Sequence, residues 1–308
     1  MLPNLFILGA EPVGITLMRR YLAQHPQIFV PRTTNPSYFT FAGGVPEQRG
    51  PALALAGGRS RRILRRAIND DAVTTAEAYR RLYRHAGRRP VRADLSSTHL
   101  DSLAAAARIR GCVPKAKLVA VLRNPVDRAY ARFTAMRADG LEPSASFADA
   151  LAAEPGRQLQ GWSNAWLYAR GGYYHRQLEP YVRYFGRERL HVVLYEDLLR
   201  EPEAEMRGLF RFANIASDIP LRPAGERLWP TRIATQALGL ARSLAGHAPA
   251  TPEPMSLGMR AMLSARYAEE VAKLEDLIGR DLSCWRMPAS VVCEAEPLLE
   301  APRLALAA

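Results

Sequence analysis

The chain is poor in lysine. Of its 42 basic residues only Lys115, Lys117 and Lys273 are lysines, and the rest are arginines. Against 30 acidic residues this leaves a formal charge of +12. A guanidinium presents a planar fork that matches phosphate, sulfate and carboxylate. The excess therefore points to an anionic ligand or partner, with an arginine- and alanine-rich solvated surface as the plainer alternative. Cysteine is also scarce. Cys112, Cys284 and Cys293 are odd in number and fit no metal-ligand spacing. That argues against a disulfide framework or a bound metal and suits reduced thiols in a cytoplasmic protein. No apolar run reaches the length of about 18 residues that a membrane-spanning helix needs. The start has no basic residues of the secretory kind, and Glu11 and Pro12 interrupt its apolar stretch. Zinc and helix-turn-helix spacings are missing, as is any interleaving of aromatic with basic residues, so nucleic acid is not the expected partner. There is no internal repeat.

What is present reads as an ordinary soluble domain, with 48% hydrophobic and 23% charged residues in a chain of 308. A core of this size needs no staples. Apolar runs at 4–9, 27–31, 91–97, 117–122 and 190–194 read as strands. Helical patterns occupy 15–25, 74–87, 98–111, 123–140, 146–154, 171–186 and 259–279. Thr75 and Ser146 are candidate helix caps, and Gly87 is a candidate stop. The stretch 42–57 reads as loop, 59–70 is strongly basic, and 215–257 is proline-rich and irregular. Strands alternate with helices, which predicts a three-layer α/β/α domain with a mostly parallel central sheet. We expect one domain over 1–286 and a loosely ordered tail over 287–308.

Ligands of such folds bind outside the carboxyl ends of the strands. Three loops should meet there, after 4–8, 117–122 and 190–194. The first is "GAEPVGIT", residues 9–16. Gly9 and Gly14 have phosphate-loop spacing, so backbone N–H groups could wrap an anion at a helix N-terminus. A plain tight turn is the alternative. The lysine of a full phosphate-loop motif would follow the second glycine, and here that position is Ile15.

Longer stretches carry a resemblance. "KLVAVLRNPVDRAYARF" at 117–133, "YLAQHPQIFVPRTTNPSYF" at 21–39, "GGYYHRQL" at 171–178, the "YED" of 195–197 and "LIGRDLSCW" at 277–285 resemble the motifs of sulfotransferases that use 3′-phosphoadenosine 5′-phosphosulfate (PAPS). The resemblance covers about residues 3 to 285 and implies a P-loop-like sulfotransferase fold, PAPS as co-substrate and no metal. It implies that Arg123 contacts the 3′-phosphate, and that Val13, Gly14, Ile15 and Thr16 line the 5′-phosphosulfate loop. Tyr38, Asp94 and Tyr174 fall on its acceptor side.

The chain departs from the family pattern at four points. The loop lysine falls at Pro12, the first loop threonine at Ile15, the 3′-phosphate serine at Ala131, and the general base at Asn35. An amide cannot take a proton at neutral pH. Arg32 or Arg19 could replace the lysine; His99, Asp94 or His175 could replace the base. Lys115 and Lys117 lie at the wrong end of their strand, and Glu196 and Asp197 read as structural. Two readings stay open. One is an active sulfotransferase with an altered site, acting on a hydroxyl or amine of a small-molecule, carbohydrate or lipid acceptor. The other is a sulfotransferase fold kept as a nucleotide- or partner-binding module. Oligomeric state is not legible.

Overall fold

The computed structural model describes residues 1–9, 14–45, 50–51, 72–222 and 255–286. Among them five strands form one sheet: β1 (Leu5–Gly9), β2 (Ile28–Phe29), β3 (Val91–Leu95), β4 (Lys117–Leu122) and β5 (Leu190–Leu194). The order is β2-β3-β1-β4-β5, and every pairing is parallel. β1 is central. Phe6 pairs with Asp94 on one side, and Gly9 pairs with Val121 on the other.

Alternation along the strands builds two cores. Phe6, Leu8, Leu118, Ala120 and Leu122 face one cluster; Leu5, Ile7, Val119 and Val121 face the other. Numbering the described helices in chain order, the first cluster is covered by α3 (Ala76–Leu82), α4 (Ala105–Cys112), α5 (Pro125–Ala138), α8 (Tyr174–Phe185) and α11 (Leu257–Ile278). The second is covered by α1 (Gly14–Leu22), α9 (Tyr195–Arg200) and α10 (Pro202–Ala213). Short helices α2 (Tyr38–Phe41), α6 (Phe147–Ala152), α7 (Glu154–Leu159) and α12 (Ser283–Arg286) complete the described chain. This is the three-layer fold expected from the alternating pattern, with a wholly parallel sheet.

Local signals placed several ends. Thr75 Oγ1 accepts from Ala78 N at 3.3 Å, and Ser146 Oγ accepts from Asp149 N at 3.1 Å. Three segments differ from the sequence reading. The strand at 27–31 shortens to Ile28–Phe29. The helix expected over 98–111 is split: Ser97–His99 form one 3-10 turn, and α4 begins only at Ala105. Ser102 Oγ accepts the Ala105 amide at 3.2 Å, and Thr98 spends its hydroxyl on Ser37, so the side chains compete with an earlier helical turn. Helix α8 starts at Tyr174, after a 3-10 turn at Arg170–Gly172. The basic stretch 59–70, nearly all of the proline-rich region and the tail after 286 lie outside the described residues. Among the described residues no helix is long and apolar enough to cross a membrane, and no group of His, Cys, Asp or Glu could hold a metal.

Candidate active site

The strand order sets the site. The carboxyl end of β1 lies between those of β3 and β4, with the β5 end beyond. Helix α1 starts at Gly14, hard against Val121: a Cβ there would lie 2.9 Å from Val121 Cγ1. A Cβ at Gly9 would lie 3.1 Å from Ile15 Cδ1 and 3.2 Å from Val121. Gly14 is thus needed for close approach, and a side chain at Gly9 would be a tight fit. The first turn of α1 has no acidic residue, and a helix N-terminus carries unpaired N–H groups and the positive end of the dipole. Thr16 is exposed there, while Ile15 packs into the second core. Pro12 and Val13 lie outside the described residues.

Arg123 leaves the end of β4 with its guanidinium over the Tyr195 ring, 5.1 Å from the centroid. Its backbone carbonyl accepts from Tyr174 Oη at 2.9 Å. The next amide, Asn124 N, donates to Glu196 Oε1 at 2.8 Å. Asn124 then caps α5, its Oδ1 accepting from Val126 N at 3.0 Å and Asp127 N at 3.4 Å. Asp127 pairs with Arg260 of α11 at 2.6 Å. Burial pushes the Glu196 carboxyl up, against the pull of the Asn124 amide and Arg123. Burial also pushes the Tyr174 phenol far up, so it stays a donor. Ala131 lies on α5 and offers no hydroxyl.

On the other flank, Asn35 and Ser37 both adopt left-handed backbone, with φ of 55° and 58°. Two such non-glycine residues so close together are held by their surroundings. Asn35 N donates to Leu95 O at 3.1 Å. Ser97 donates to Asn35 Oδ1 at 3.3 Å, Ser37 N donates to Ser96 Oγ at 3.0 Å, and Thr98 donates to Ser37 Oγ at 2.9 Å. The loop is strapped to the segment after β3.

The residues nominated from sequence separate on burial. Asp94 is fully buried and accepts from Ser96 Oγ at 2.5 Å and from the Tyr79 hydroxyl. His99 is fully buried against Phe6 and Phe39, its Nδ1 3.9 Å from Asp94 Oδ1. Neither ring nitrogen has a hydrogen-bond partner among the described residues. Burial holds this imidazole below its usual pKa, although Asp94 pulls the other way. In this arrangement Asp94 accepts from Ser96, and the buried His99 packs in the core. Tyr38 stacks on Tyr79 at 4.4 Å. His175 is half-buried in the first turn of α8. Arg32 is exposed, and Arg19 donates to the carbonyls of Pro31 and Arg32, anchoring the loop that carries it. Lys117 lies at the opposite end of the sheet, its Nζ donating to Phe212 O. The sequence reading did not single out Ser96, Ser97, Thr98, Tyr195 or Arg260. The hydroxyl run next to Asp94 was the available signal for the first three.

A parallel sheet with a close-packed helix N-terminus between an arginine-bearing loop and a strapped polar loop defines an α/β protein suited to an anionic ligand. The sequence matches the sulfotransferase family over residues 3–218, and the chain belongs to that family. Its fold is similar to a sulfotransferase from Alicyclobacillus acidocaldarius, with TM-score 0.74 and 29% identity, covering 93% of this chain and 100% of the other. It is 31% identical over 125 residues to the human bifunctional heparan sulfate N-deacetylase/N-sulfotransferase 2, covering 39% of this chain and 14% of that protein. The corresponding N-deacetylase/N-sulfotransferase 1 of Caenorhabditis briggsae is 22% identical over 222 residues, covering 70% of this chain and 23% of its own length. The chain thus spans only a small part of the curated relatives it matches.

Proposed function

We propose that this protein transfers a sulfuryl group from PAPS to a hydroxyl or amine of an acceptor. The observation that carries this reading is Arg123, held over Tyr195 just past the end of β4, the strand paired with the β1 that precedes α1. In this reading Arg123 takes the 3′-phosphate through charge-assisted hydrogen bonds. The first-turn amides and the Thr16 hydroxyl hold the 5′-phosphosulfate. The acceptor oxygen or nitrogen attacks sulfur, and the bond from sulfur to the bridging phosphate oxygen breaks. That oxygen keeps the electron pair and leaves as 3′-phosphoadenosine 5′-phosphate; the acceptor's proton passes to solvent. The helix end opposes the charge that builds on the leaving oxygen. The relatives named for heparan sulfate make an amino sugar the first acceptor to test.

A second reading, a nucleotide-binding module without turnover, is favoured by Pro12, Asn35 and Ala131 and by the burial of Asp94 and His99. Loss of a charge-stabilising donor costs about 10²–10³ in rate, and loss of a base about 10²–10⁴.

Calorimetric titration with 3′-phosphoadenosine 5′-phosphate tests the shared element of both. Micromolar binding is expected, weakened about 10- to 100-fold in Arg123→Ala. No binding up to millimolar would overturn the nucleotide site. Turnover of PAPS with amine and hydroxyl acceptors then separates enzyme from binding module.

A further inference from the structure

We propose that Tyr174 and Glu196 are positioning residues that clamp one peptide group, the link between Arg123 and Asn124. They thereby set where the Arg123 guanidinium meets a 3′-phosphate; this last step rests on the sulfotransferase reading above. The carbonyl of Arg123 and the N–H of Asn124 belong to the same planar unit. Tyr174 Oη donates to the carbonyl at 2.9 Å, and Glu196 Oε1 accepts from the N–H at 2.8 Å. Those partners come from α8 and α9, 51 and 72 residues away.

The clamp reads polarity. A flip of the peptide would set the carbonyl against the Glu196 carboxylate and would take from the Tyr174 hydroxyl the carbonyl it donates to. The carbonyl–carboxylate contact would be unfavourable, and the Tyr174 bond would be lost. The side chain is held as well. Tyr195, next to Glu196, lies under the guanidinium, so adjacent residues at the start of α9 fix Arg123 through its ring contact and its backbone. Asn124 continues the restraint by capping α5.

Glu196 carries a cost that packing alone does not explain. Its Oε2 is buried without a hydrogen-bond partner among the described residues. A buried unsatisfied carboxylate oxygen is destabilising, and such atoms in a native structure call for a reason. Holding the Asn124 amide is that reason. An apolar side chain would pack without the penalty but would release the peptide.

The test uses the full chain and four variants: Tyr174→Phe, Glu196→Leu, Glu196→Gln and Arg123→Ala. Two probes are titrated, 3′-phosphoadenosine 5′-phosphate and adenosine 5′-phosphate, which lacks the 3′-phosphate. Tyr174→Phe and Glu196→Leu should each weaken the first about three- to tenfold and the second less than about twofold. Glu196→Gln keeps an acceptor oxygen and should stay within about twofold of wild type. Equal losses for both probes would mean general structural damage and would overturn the proposal, as would unchanged affinity. Hydrogen exchange at the Asn124 amide reads the clamp without any ligand. Protection in wild type that is lost in Glu196→Leu and kept in Glu196→Gln supports it; an unprotected wild-type amide refutes it. If wild type binds neither probe, the sulfotransferase reading fails, and the exchange measurement alone decides the clamp.

Discussion

Gly14→Ala should lift the first turn of α1 off the sheet. The added methyl would stand 2.9 Å from Val121 Cγ1, whereas carbon atoms settle at about 3.5–4.0 Å. A displacement of about 0.6–1 Å is therefore needed. Val121 cannot supply it: it is fully buried in β4, paired with Gly9 on one side and Val193 on the other. The helix start must move, and with it the N–H groups proposed to hold the phosphosulfate. Overpacking of this kind costs about 1–3 kcal/mol, less up to about 1 kcal/mol that alanine returns in helix propensity. We expect affinity for 3′-phosphoadenosine 5′-phosphate to fall about tenfold, because misplacing a site by about 1 Å is costly. The second variant makes the test sharp. Val121→Ala removes Cγ1, and the next nearest atom to the new methyl is Val121 Cβ at 3.7 Å, an ordinary contact. The double variant should recover affinity even though Val121→Ala alone costs about 2 kcal/mol of stability. Calorimetry and thermal melts on all four proteins would give a coupling of about 1 kcal/mol or more. Wild-type affinity in Gly14→Ala, or no recovery in the double variant, would refute the close-packing argument.

Two further expectations concern stability. Glu142 is buried and accepts from Arg157 at 3.0 and 2.6 Å, from the Tyr168 hydroxyl and from Ser144 N at 2.7 Å. Arg157→Met strands that carboxylate and should cost about 3–5 kcal/mol in urea unfolding, with most of it recovered by adding Glu142→Leu; a single-variant loss under about 1 kcal/mol would sink the account. His191 stacks on Phe212 at 5.3 Å, and burial, helped by Arg280 and Arg187, pushes its imidazole down to about 4. The unfolded state, with a histidine pKa of about 6.5, binds the proton first, so this group's contribution to stability falls as pH drops through that window. His191→Gln should flatten the pH dependence of the melting temperature between those limits, and identical slopes would show that His191 does not titrate on unfolding.

The sequence by itself determined the local devices. The caps at Thr75 and Ser146, the strand–glycine–helix start and the arginine after the β4 run all follow from residues within a few positions of one another. The alternation of Phe6 and Leu8 with Leu5 and Ile7 fixed which side chains go to which face of a strand. The motifs at 21–39 and 117–133 carried the family. Only the tertiary structure decided which of the nominated polar residues are buried. Asp94 and His99 read as candidate replacement bases, with a packed imidazole the plainer reading of the histidine, and Phe6, Phe39 and Tyr79 pack around them. Glu196 read as structural, and only the fold shows that the group it holds is the Asn124 amide. These outcomes depend on the order β2-β3-β1-β4-β5, which brings together residues 50 to 70 or so positions apart. No periodicity of a single segment encodes that order, because it is set by how the helices bury both faces of one sheet at once.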